Sequence, residues 1–261
     1  MSGAHTSAGA SAGAGAMRLD AALVLRGMVD TRSKAQRLIR AGHVTLDGRT
    51  VTKPSAAVMA NDLLGVDKGD DYVSRGALKL VGAFERFQGD GLAEPEGMDC
   101  LDIGASTGGF TQVLLRRGAW HVVALDVGHG QLDPRVGSDP RVTDMSGVNI
   151  RDLEPADLPY APAMVVSDVS FISLRFVIPV VARIAAPGAH IVLLVKPQFE
   201  VGRGNLGKHG VVTDESLRRK ALEDVTECAR AQGLTVVASA PSPIEGTHGN
   251  REYLLYAKAG E

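Results

Sequence analysis

Short apolar runs recur at regular intervals along the larger, C-terminal part of the chain. Five of them occupy residues 98–103, 121–126, 141–144, 163–168 and 190–196. Segments with helical or loop character separate these runs, so strands and helices alternate. Such alternation is typical of a mostly parallel sheet with helices on its faces. We therefore predict an α/β domain built on a Rossmann-like, doubly wound sheet.

Two further β-prone runs, residues 235–240 and 252–258, lie near the end of the chain. The turn-rich segment PSPIEGTHGNR separates them. This arrangement predicts a closing hairpin, because turn residues join two runs that are close in sequence. A hairpin at this point makes the last strand antiparallel to the others. The complete prediction is a seven-stranded sheet with an antiparallel last strand.

The N-terminal part shows a different pattern and predicts a small α+β module. The apolar residues of RLDAALVLRG have helical spacing, and a second helix follows that Asp30 or Thr31 can cap and that stops at Gly42. The next segment, VTLDGRTV, places Asp47-Gly48 between two β-prone runs, which is a strong signal for a tight hairpin. We therefore expect two helices followed by a hairpin.

The second helix of this module carries basic and apolar side chains on different sides. Its basic residues are Lys34, Arg37 and Arg40, and its apolar residues are Ala35, Leu38 and Ile39. Over residues 17–61 the net charge is +5, whereas the whole chain carries −2. A basic module joined to an acidic one is typical of proteins that bind an anionic polymer. From the charges alone, a solvated helix face is the alternative.

The predicted organisation has four parts. The first sixteen residues, MSGAHTSAGASAGAGA, lack the basic and apolar stretches of a secretory signal, and their composition predicts a disordered tail. The small module covers residues 17–66, a short charged linker covers residues 67–73, and the α/β domain covers residues 74–261.

The composition argues against membrane and disulfide-rich classes of protein. The longest apolar region, residues 176–195, is interrupted by two prolines, an arginine and a histidine, which a membrane-spanning helix rarely combines. The two cysteines, Cys100 and Cys228, have no metal-ligand spacing around them. We expect a cytoplasmic protein that needs no metal.

A glycine-rich turn follows the first strand of the predicted sheet. Gly104, Gly108 and Gly109 have a G-x-x-x-G-G spacing instead of the dinucleotide-binding G-x-G-x-x-G. Glycines at such a turn let the backbone approach a ligand at the helix N-terminus. Asp126 ends the next strand and can accept hydrogen bonds from ribose hydroxyls, and Asp102 suits a positive charge. This pattern favours S-adenosylmethionine, whose sulfonium needs no pyrophosphate cradle; a purely structural turn is the alternative. The predicted donor-binding residues are Asp102, Gly104, Ala105, Ser106, Thr107, Gly108, Gly109, Phe110 and Asp126.

Ionisable residues are expected along one rim of the sheet. Ligands of open α/β sheets bind at the carboxyl ends of the parallel strands, where Asp168 and Lys196 lie. Glu252 begins the antiparallel last strand and should therefore reach the same rim. Lys79, in the helical segment SRGALKLVGAFERF, lies off the apolar side of its helix and faces either water or the site. Singly, each residue is explained as an ordinary surface charge.

Several motifs occur together and in one order. They are YVSRGALKL, LDIGASTGGFTQ, VSDVSFISL, LVKPQFE, HGVV and SPIEGTHGNREYLLY. They follow a module whose segment AGHVTLDGRTVTKPS resembles the small RNA-binding domain named after ribosomal protein S4. Together, from Met17 to the end, the chain resembles the TlyA family of rRNA 2′-O-methyltransferases, historically labelled hemolysins, whose catalytic domain is FtsJ-like.

The resemblance implies methylation of cytidine ribose in 23S and, in some members, 16S rRNA, with S-adenosylmethionine as donor. It also implies a catalytic tetrad of Lys79, Asp168, Lys196 and Glu252. Lys196 is the candidate base, since a neutral lysine can accept the hydroxyl proton and burial favours the neutral form. Lys79 would polarise the hydroxyl oxygen, Asp168 would orient Lys196, and Glu252 would position Lys79 or the ribose. Asn149 lies where the family contacts the adenine.

The expected partner is rRNA within ribosomal subunits, with no role for a membrane. The residues predicted to contact RNA phosphates are Arg18, Arg32, Lys34, Arg37 and Arg40. The loop FEVGRGNLGKHG either closes over RNA or is an ordinary surface loop. Two alternatives to the enzyme are a non-catalytic ribosome-binding or assembly factor that kept the fold, and the membrane-lytic protein of the old family label.

Overall fold

The computed structural model describes residues 16–66 and 71–261. The chain divides into two compact units, one ending at Asp71 and the other spanning Tyr72–Glu261. Residues 1–15 of the predicted tail and residues 67–70 of the predicted linker lie outside the described residues. The domain boundaries drawn from the sequence therefore stay predictions.

Two helices and five short strands occur among the described residues of the first unit. Its elements are β1 (Met17–Arg18), α1 (Leu19–Leu25), α2 (Arg32–Arg40), β2 (Val44–Leu46), β3 (Arg49–Thr50), β4 (Ala57–Val58) and β5 (Leu64–Val66). Strand β2 pairs with β3 and β5, and β1 pairs with β4; all these pairs are antiparallel. Asp47 and Gly48, with φ of 49° and 77°, form the turn of the β2–β3 hairpin. Two helices followed by a hairpin match the predicted order.

Helix α2 begins and ends where its capping residues predict. The side chain of Thr31 accepts a hydrogen bond from the backbone N–H of Lys34 at 3.2 Å. Gly42 follows the helix with a φ of 80°, the left-handed conformation that favours glycine. The residues that α2 buries are the predicted apolar ones, Ala35, Leu38 and Ile39.

A buried carboxylate links the start of the first unit to α2. Asp20 is fully buried and accepts two hydrogen bonds from Arg18, both of 3.0 Å. Arg32 Nε donates at 3.1 Å and Gln36 Nε2 at 2.8 Å to the same carboxylate. The hydrogen bonds from Arg18 hold the pKa of Asp20 well below its usual range, against the opposing effect of burial. Two arginines predicted to bind RNA therefore also hold the fold together.

A seven-stranded sheet organises the second unit. Its strands are β6 (Asp99–Ile103), β7 (His121–Asp126), β8 (Val142–Ser146), β9 (Met164–Ser167), β10 (His190–Val195), β11 (Thr235–Pro241) and β12 (Tyr253–Lys258). The strand order is β11-β12-β10-β9-β6-β7-β8, and β12 runs in the opposite direction to the other six strands. The predicted sheet with an antiparallel last strand is confirmed.

Helices cover both faces of this sheet. They are α3 (Ala77–Phe87), α4 (Gly109–Arg116), α5 (Pro134–Gly137), α6 (Leu174–Ile184), α7 (Pro197–Glu200) and α8 (Glu215–Ala231). Leu101 and Ile103 of β6 belong to the core that contains buried residues of α6 and α8, whereas Cys100 belongs to the core that contains buried residues of α3 and α4. Successive strand residues thus serve opposite cores, as a strand buried on both faces requires. Among the described residues, no helix combines the length and the apolar character needed to cross a bilayer.

The register of the central strands brings the candidate site residues to one edge of the sheet. Ile103 pairs with Ser167, and Val195 pairs with Tyr253. The residues next to these pairs therefore meet at one end of the sheet, where the loops begin. They are Gly104, Asp168, Lys196 and Glu252.

We expect Asp20→Asn to loosen α1 and α2. The amide keeps the size of the side chain but removes the charge that Arg18 and Arg32 share. Because the folded state lowers the pKa of Asp20, the carboxylate adds stability that is complete above the unfolded value of about 4 and shrinks as the pH falls below it. Hydrogen–deuterium exchange in α1 and α2 should therefore be faster than in the wild type at pH 7, and the difference should narrow in acid.

Asp30→Asn is the matched control for this substitution. Asp30 is 83% exposed and contacts only Lys34 at 3.3 Å among the described residues. An exposed ion pair of this kind contributes little, so exchange should stay close to the wild type. Equal protection of α1 and α2 in the wild type and Asp20→Asn at pH 7 would contradict the assignment.

Candidate active site

Four ionisable side chains meet at the edge of the sheet. Lys196 Nζ lies 2.5 Å from Asp168 Oδ1, and Lys79 Nζ lies 3.5 Å from Asp168 Oδ2. Lys79 Nζ also lies 2.7 Å from Glu252 Oε2. Both lysines are only 7% exposed and Glu252 is 4% exposed. The four residues named from the sequence thus form one continuous chain of ion pairs.

Each member of this cluster comes from a different element. Asp168 follows β9, Lys196 follows β10, and Glu252 precedes β12. Lys79 lies in the first turn of α3, whose apolar side packs into the core. From the helical spacing alone, Lys79 could face either water or the site. In the structure it is buried in the site. The simpler interpretation of Lys79 as an exposed helix residue is wrong.

The two lysines have different surroundings. Lys79 contacts two carboxylates, whereas Lys196 contacts one carboxylate and donates a hydrogen bond to Ser170 Oγ at 2.9 Å. Carboxylates stabilise an ammonium group more than a hydroxyl does. Lys79 therefore has the stronger electrostatic contacts of the two lysines.

Two polar residues that the sequence analysis missed support the cluster. Ser170 accepts the hydrogen bond from Lys196, and Gln198 Nε2 donates to Glu252 Oε1 at 3.3 Å. Both lie two residues after a strand-end ionisable residue, in the segments VSDVS and VKPQ. A polar residue two positions after an ionisable residue at a strand end was the sequence signal that could have identified Ser170 and Gln198.

A buried carboxylate connects α7 with the start of α6. Glu200 accepts hydrogen bonds from Ser173 Oγ at 2.5 Å and from the backbone N–H of Leu174 at 2.9 Å. Burial raises the pKa of Glu200. The loop between β9 and α6 carries Phe171, which is 92% exposed, has a φ of 65° and contacts the ring of Phe199 at a centroid distance of 5.3 Å. Glu200 therefore fixes the loop that bears Phe171 against α7, which bears Phe199.

Two adjoining cavities open at this edge. The first has a volume of about 850 Å³ and contains the ion-pair cluster, and the second has about 800 Å³ and is lined by Asp126 and Asn149. Volumes of this size suit a drug-sized or nucleoside ligand. The residues that line both cavities are Gly104, Ser106, Asp168, Ser170, Phe171 and Phe199.

Most of the predicted donor-binding residues line these cavities. Those in the first cavity are Gly104, Ala105, Ser106, Thr107, Gly109 and Phe110, and those in the second include Gly104, Ser106, Asp126 and Asn149. Asp126 accepts hydrogen bonds from the backbone N–H groups of Ser106 and Gly128, both at 2.8 Å. Asn149 Oδ1 accepts from the backbone N–H of Arg151 at 3.1 Å. Asp102 and Gly108 line neither cavity.

The glycines of this turn are needed because other parts of the protein lie too close for a side chain. A β-carbon on Gly104 would lie 3.0 Å from the carbonyl oxygen of Asp168. Gly108 has a φ of 90°, which residues with a β-carbon rarely adopt. A β-carbon on Gly109 would collide with Ser74 Oγ. The sequence analysis assigned these glycines to ligand approach, with a purely structural turn as the alternative, and the structure adds close packing as a physical reason for them.

Asp102 has a different place from the one expected. It is fully buried behind the turn, where its Oδ2 accepts hydrogen bonds from Thr111 N at 2.8 Å and from Thr111 Oγ1 at 2.6 Å. Its Oδ1 has no hydrogen-bond partner among the described residues. Burial raises the pKa of Asp102 to about 7. Instead of facing a sulfonium across the cavity, Asp102 anchors the first turn of α4.

The predicted RNA-binding residues of the first unit fall into two groups. Arg18 and Arg32 pair with Asp20, and Lys34 Nζ lies 2.9 Å from Asp71 Oδ1 and 3.3 Å from Asp30 Oδ2. The hydrogen bond to Asp71 is the main cause that raises the pKa of Lys34. The second group is exposed and has no carboxylate partner among the described residues; it consists of Arg37 and Arg40.

Comparison with known proteins gives two family matches. Residues 72–259 match the FtsJ-like methyltransferase family, and residues 17–64 match the S4 domain. The 16S/23S rRNA (cytidine-2'-O)-methyltransferase TlyA of Mycobacterium tuberculosis is 47% identical over 243 residues, which cover 92% of this chain and 89% of the relative. Hemolysin A of Brachyspira hyodysenteriae is 40% identical over 241 residues, covering 92% and 99%. A solved structure of a hemolysin-named protein from Streptococcus thermophilus matches with a TM-score of 0.72 and 39% identity, covering 95% and 90%.

In the wild type, Asp102 is expected to make the folded state less stable as the pH rises from about 4 to about 7, and the substitution Asp102→Asn should remove this effect. Because burial raises the pKa of Asp102 to about 7, the folded state holds a proton that the unfolded state releases near pH 4. The contribution of this group to the free energy of unfolding is therefore full below about pH 4, falls as the pH rises toward 7 and is level above that. The asparagine has no such proton.

Urea denaturation of both proteins across this pH range checks the expectation. The free energy of unfolding of the wild type, minus that of Asp102→Asn, should fall between about pH 4 and pH 7. All other titrating groups are shared by the two proteins and cancel in this difference. A difference that stays level or rises over the range would contradict the placement of Asp102.

Proposed function

Because this chain belongs to the TlyA family of FtsJ-like methyltransferases, we propose that it methylates the ribose 2′-hydroxyl of a cytidine in ribosomal RNA. The observation that carries the proposal is the convergence of Lys79, Asp168, Lys196 and Glu252 in one cavity. The relative from Mycobacterium tuberculosis is named for this reaction on 16S and 23S rRNA. The same two RNAs are the proposed substrates of this chain.

The donor proposed for the reaction is S-adenosylmethionine, which supplies an electrophilic methyl group on a positively charged sulfonium. The second cavity fits its nucleoside part, since Asp126 and Asn149 offer a carboxylate and an amide to ribose hydroxyls and to a base. Gly104 and Ser106 lie on the wall common to both cavities. These residues would hold the donor beside the ion-pair cluster.

Lys196 is the proposed proton acceptor. A ribose hydroxyl is a weak nucleophile until its proton is removed, and a neutral amine within hydrogen-bond reach can take that proton. Lys196 contacts one carboxylate, whereas Lys79 contacts two, so Lys196 is the better candidate for the residue that accepts the proton. Its Nζ would accept the hydroxyl proton as the oxygen becomes nucleophilic.

The other three residues are proposed to position the hydroxyl and the base. Lys79, kept as an ammonium group by Glu252 and Asp168, would donate a hydrogen bond to the hydroxyl oxygen and stabilise its growing negative charge. Asp168 would keep Lys196 in place through their 2.5 Å contact. Glu252 is accordingly assigned to Lys79 and not to the ribose.

The proposal is tested by methylation of unmodified large and small ribosomal subunits. With S-adenosylmethionine, the wild type should produce 2′-O-methylcytidine, mapped by nuclease digestion and mass spectrometry. Lys196→Met keeps the length of the side chain but cannot accept a proton, so the rate should fall by about 100-fold or more. Lys220→Met is the matched control, because Lys220 is an exposed lysine paired only with Asp224 among the described residues.

Donor binding and subunit binding, measured on the same proteins, separate chemistry from folding. Lys196→Met should retain both. A methyl group found on the cytosine base instead of the ribose would contradict the proposed acceptor. If the wild type binds donor and subunits yet methylates neither subunit, the proposed reaction fails and a non-catalytic ribosome-binding role takes its place.

The first unit is proposed to bind RNA phosphates mainly through Arg37 and Arg40. Their guanidinium groups are exposed without a carboxylate partner among the described residues. Replacing both with glutamine should lower the slope of log affinity against log salt concentration by about two, because each phosphate contact contributes roughly one to that slope. Subunit binding at several salt concentrations measures this slope.

Arg26→Gln is a useful contrast for this experiment. Its guanidinium donates hydrogen bonds to the carbonyl oxygens of Met59, Ala60 and Asp62 in the same unit, so its loss should act on stability. We expect a lower thermal midpoint with little change in the salt slope. An unchanged slope in the Arg37→Gln, Arg40→Gln protein would refute the assignment.

A further inference from the structure

A phosphodiester group must enter the first cavity together with the reacting hydroxyl. In RNA the 2′-oxygen and the 3′-phosphodiester are attached to neighbouring carbons of one ribose, so a chain that brings the first to Lys196 brings the second close by. The cluster offers no net positive charge to a further anion, since its two lysines already face two carboxylates. Taking an anion out of water is costly unless cations or hydrogen-bond donors replace the water. Other residues of the cavity must therefore supply them.

Two histidines and an arginine on the cavity wall are available for this purpose. The rings of His209 and His248 face each other with a centroid distance of 6.0 Å and an angle of 28°. Both are exposed, and neither makes a hydrogen bond or ion pair with any residue the structure describes. Arg203 lines the same cavity, is exposed and has no carboxylate partner within the described ranges. Arg75 also lines the cavity but lies outside these two loops.

The two histidine turns are joined by a buried amide. Asn250 is 4% exposed; its Nδ2 donates to the carbonyl oxygen of Gly210 at 3.2 Å, and its Oδ1 accepts from the backbone N–H of Val212 at 3.2 Å. One loop follows α7 and the other joins β11 to β12. A β-carbon on Gly246 would collide with the carboxylate of Glu252, so the second loop lies directly against the ion-pair cluster.

The backbone of both histidines is in the left-handed region. His209 has φ and ψ of 61° and 20°, and His248 has 59° and 19°. Each precedes a glycine that is also left-handed, with φ of 74° for Gly210 and 82° for Gly249. Such conformations are disfavoured for residues with a β-carbon, and they persist where the surrounding structure holds them, often at functional sites. Matching turns from two loops present the imidazoles on one wall of the cavity.

We propose that His209, His248 and Arg203 bind the phosphodiester on the 3′ side of the ribose to be methylated. The inference rests on the proposed function and adds RNA-binding residues within the second unit. Imidazole N–H groups and a guanidinium are donors that suit phosphate oxygens. The three side chains would hold the RNA strand next to the reacting hydroxyl, and none of them would take part in proton transfer.

The experiment compares two replacements of the histidine pair in the full chain. His209→Gln with His248→Gln keeps a side-chain N–H donor, whereas His209→Phe with His248→Phe keeps an aromatic ring and removes every donor. With unmodified ribosomal subunits, the phenylalanine pair should raise KM about tenfold or more with little change in kcat, and the glutamine pair should raise it less. Arg203→Gln should also lower the salt slope of subunit binding by about one.

Arg230→Gln is the matched control, because Arg230 is an exposed arginine of α8 that does not line the cavity. It should leave KM and the salt slope unchanged. Unchanged affinity for S-adenosylmethionine shows that the histidine variants are folded. The proposal would be overturned if the phenylalanine pair had the KM of the wild type while the glutamine pair had a higher KM. This result would mean that the rings stack on a base and do not donate hydrogen bonds to a phosphate. An unaltered KM in both pairs would overturn it as well.

Equilibrium binding of subunits keeps this test separate from that of the proposed reaction. If the wild type makes no 2′-O-methylcytidine, the proposed function fails. Comparing the affinities of the glutamine and phenylalanine pairs for ribosomal subunits still shows whether side-chain hydrogen-bond donors are needed for RNA binding. Weaker binding by the phenylalanine pair alone supports a phosphate contact, and equal binding by both pairs refutes it.

Discussion

The shared carboxylate of Asp168 is the interaction on which the rest of the site depends. It contacts both Lys79 and Lys196, and without it two buried lysines would lie in one cavity with a single remaining carboxylate. Burying an unpaired charge is costly, so the site could not hold both lysines. Gly104 packs against the backbone of the same residue. The turn assigned to the donor and the cluster assigned to the acceptor are thus built around one position.

Buried polar side chains outside the cluster hold the loops that complete the site. Glu200 ties α7 to the start of α6, and Asn250 ties the loop after α7 to the loop before β12. Loops are ordinarily the most mobile parts of a fold, but a buried side chain that satisfies backbone groups gives them a defined position. The rings of Phe171 and Phe199 and the imidazoles of His209 and His248 owe their placement to these two residues.

Charge in the first unit serves folding as well as the proposed binding of RNA. Asp20 forms ion pairs with two of the basic residues, Arg18 and Arg32, while Arg37 and Arg40 are exposed without a carboxylate partner among the described residues. The net charge of the module describes its attraction to RNA at long range. It does not say which guanidinium groups are available, because this depends on the acidic groups that the fold brings next to them.

Hydrophobic periodicity determined the strands, their order along the chain and the rim where Asp168, Lys196 and Glu252 would lie, because strand and helix repeats are local properties of the sequence. The catalytic roles and the donor contacts stay predictions. Only the tertiary structure decided that Lys79 faces the cluster, that Asp102 lies behind the glycine turn and that two histidine turns meet. Each of these depends on packing between segments distant in sequence, and a pattern read along one segment contains no information about the neighbour that will cover it.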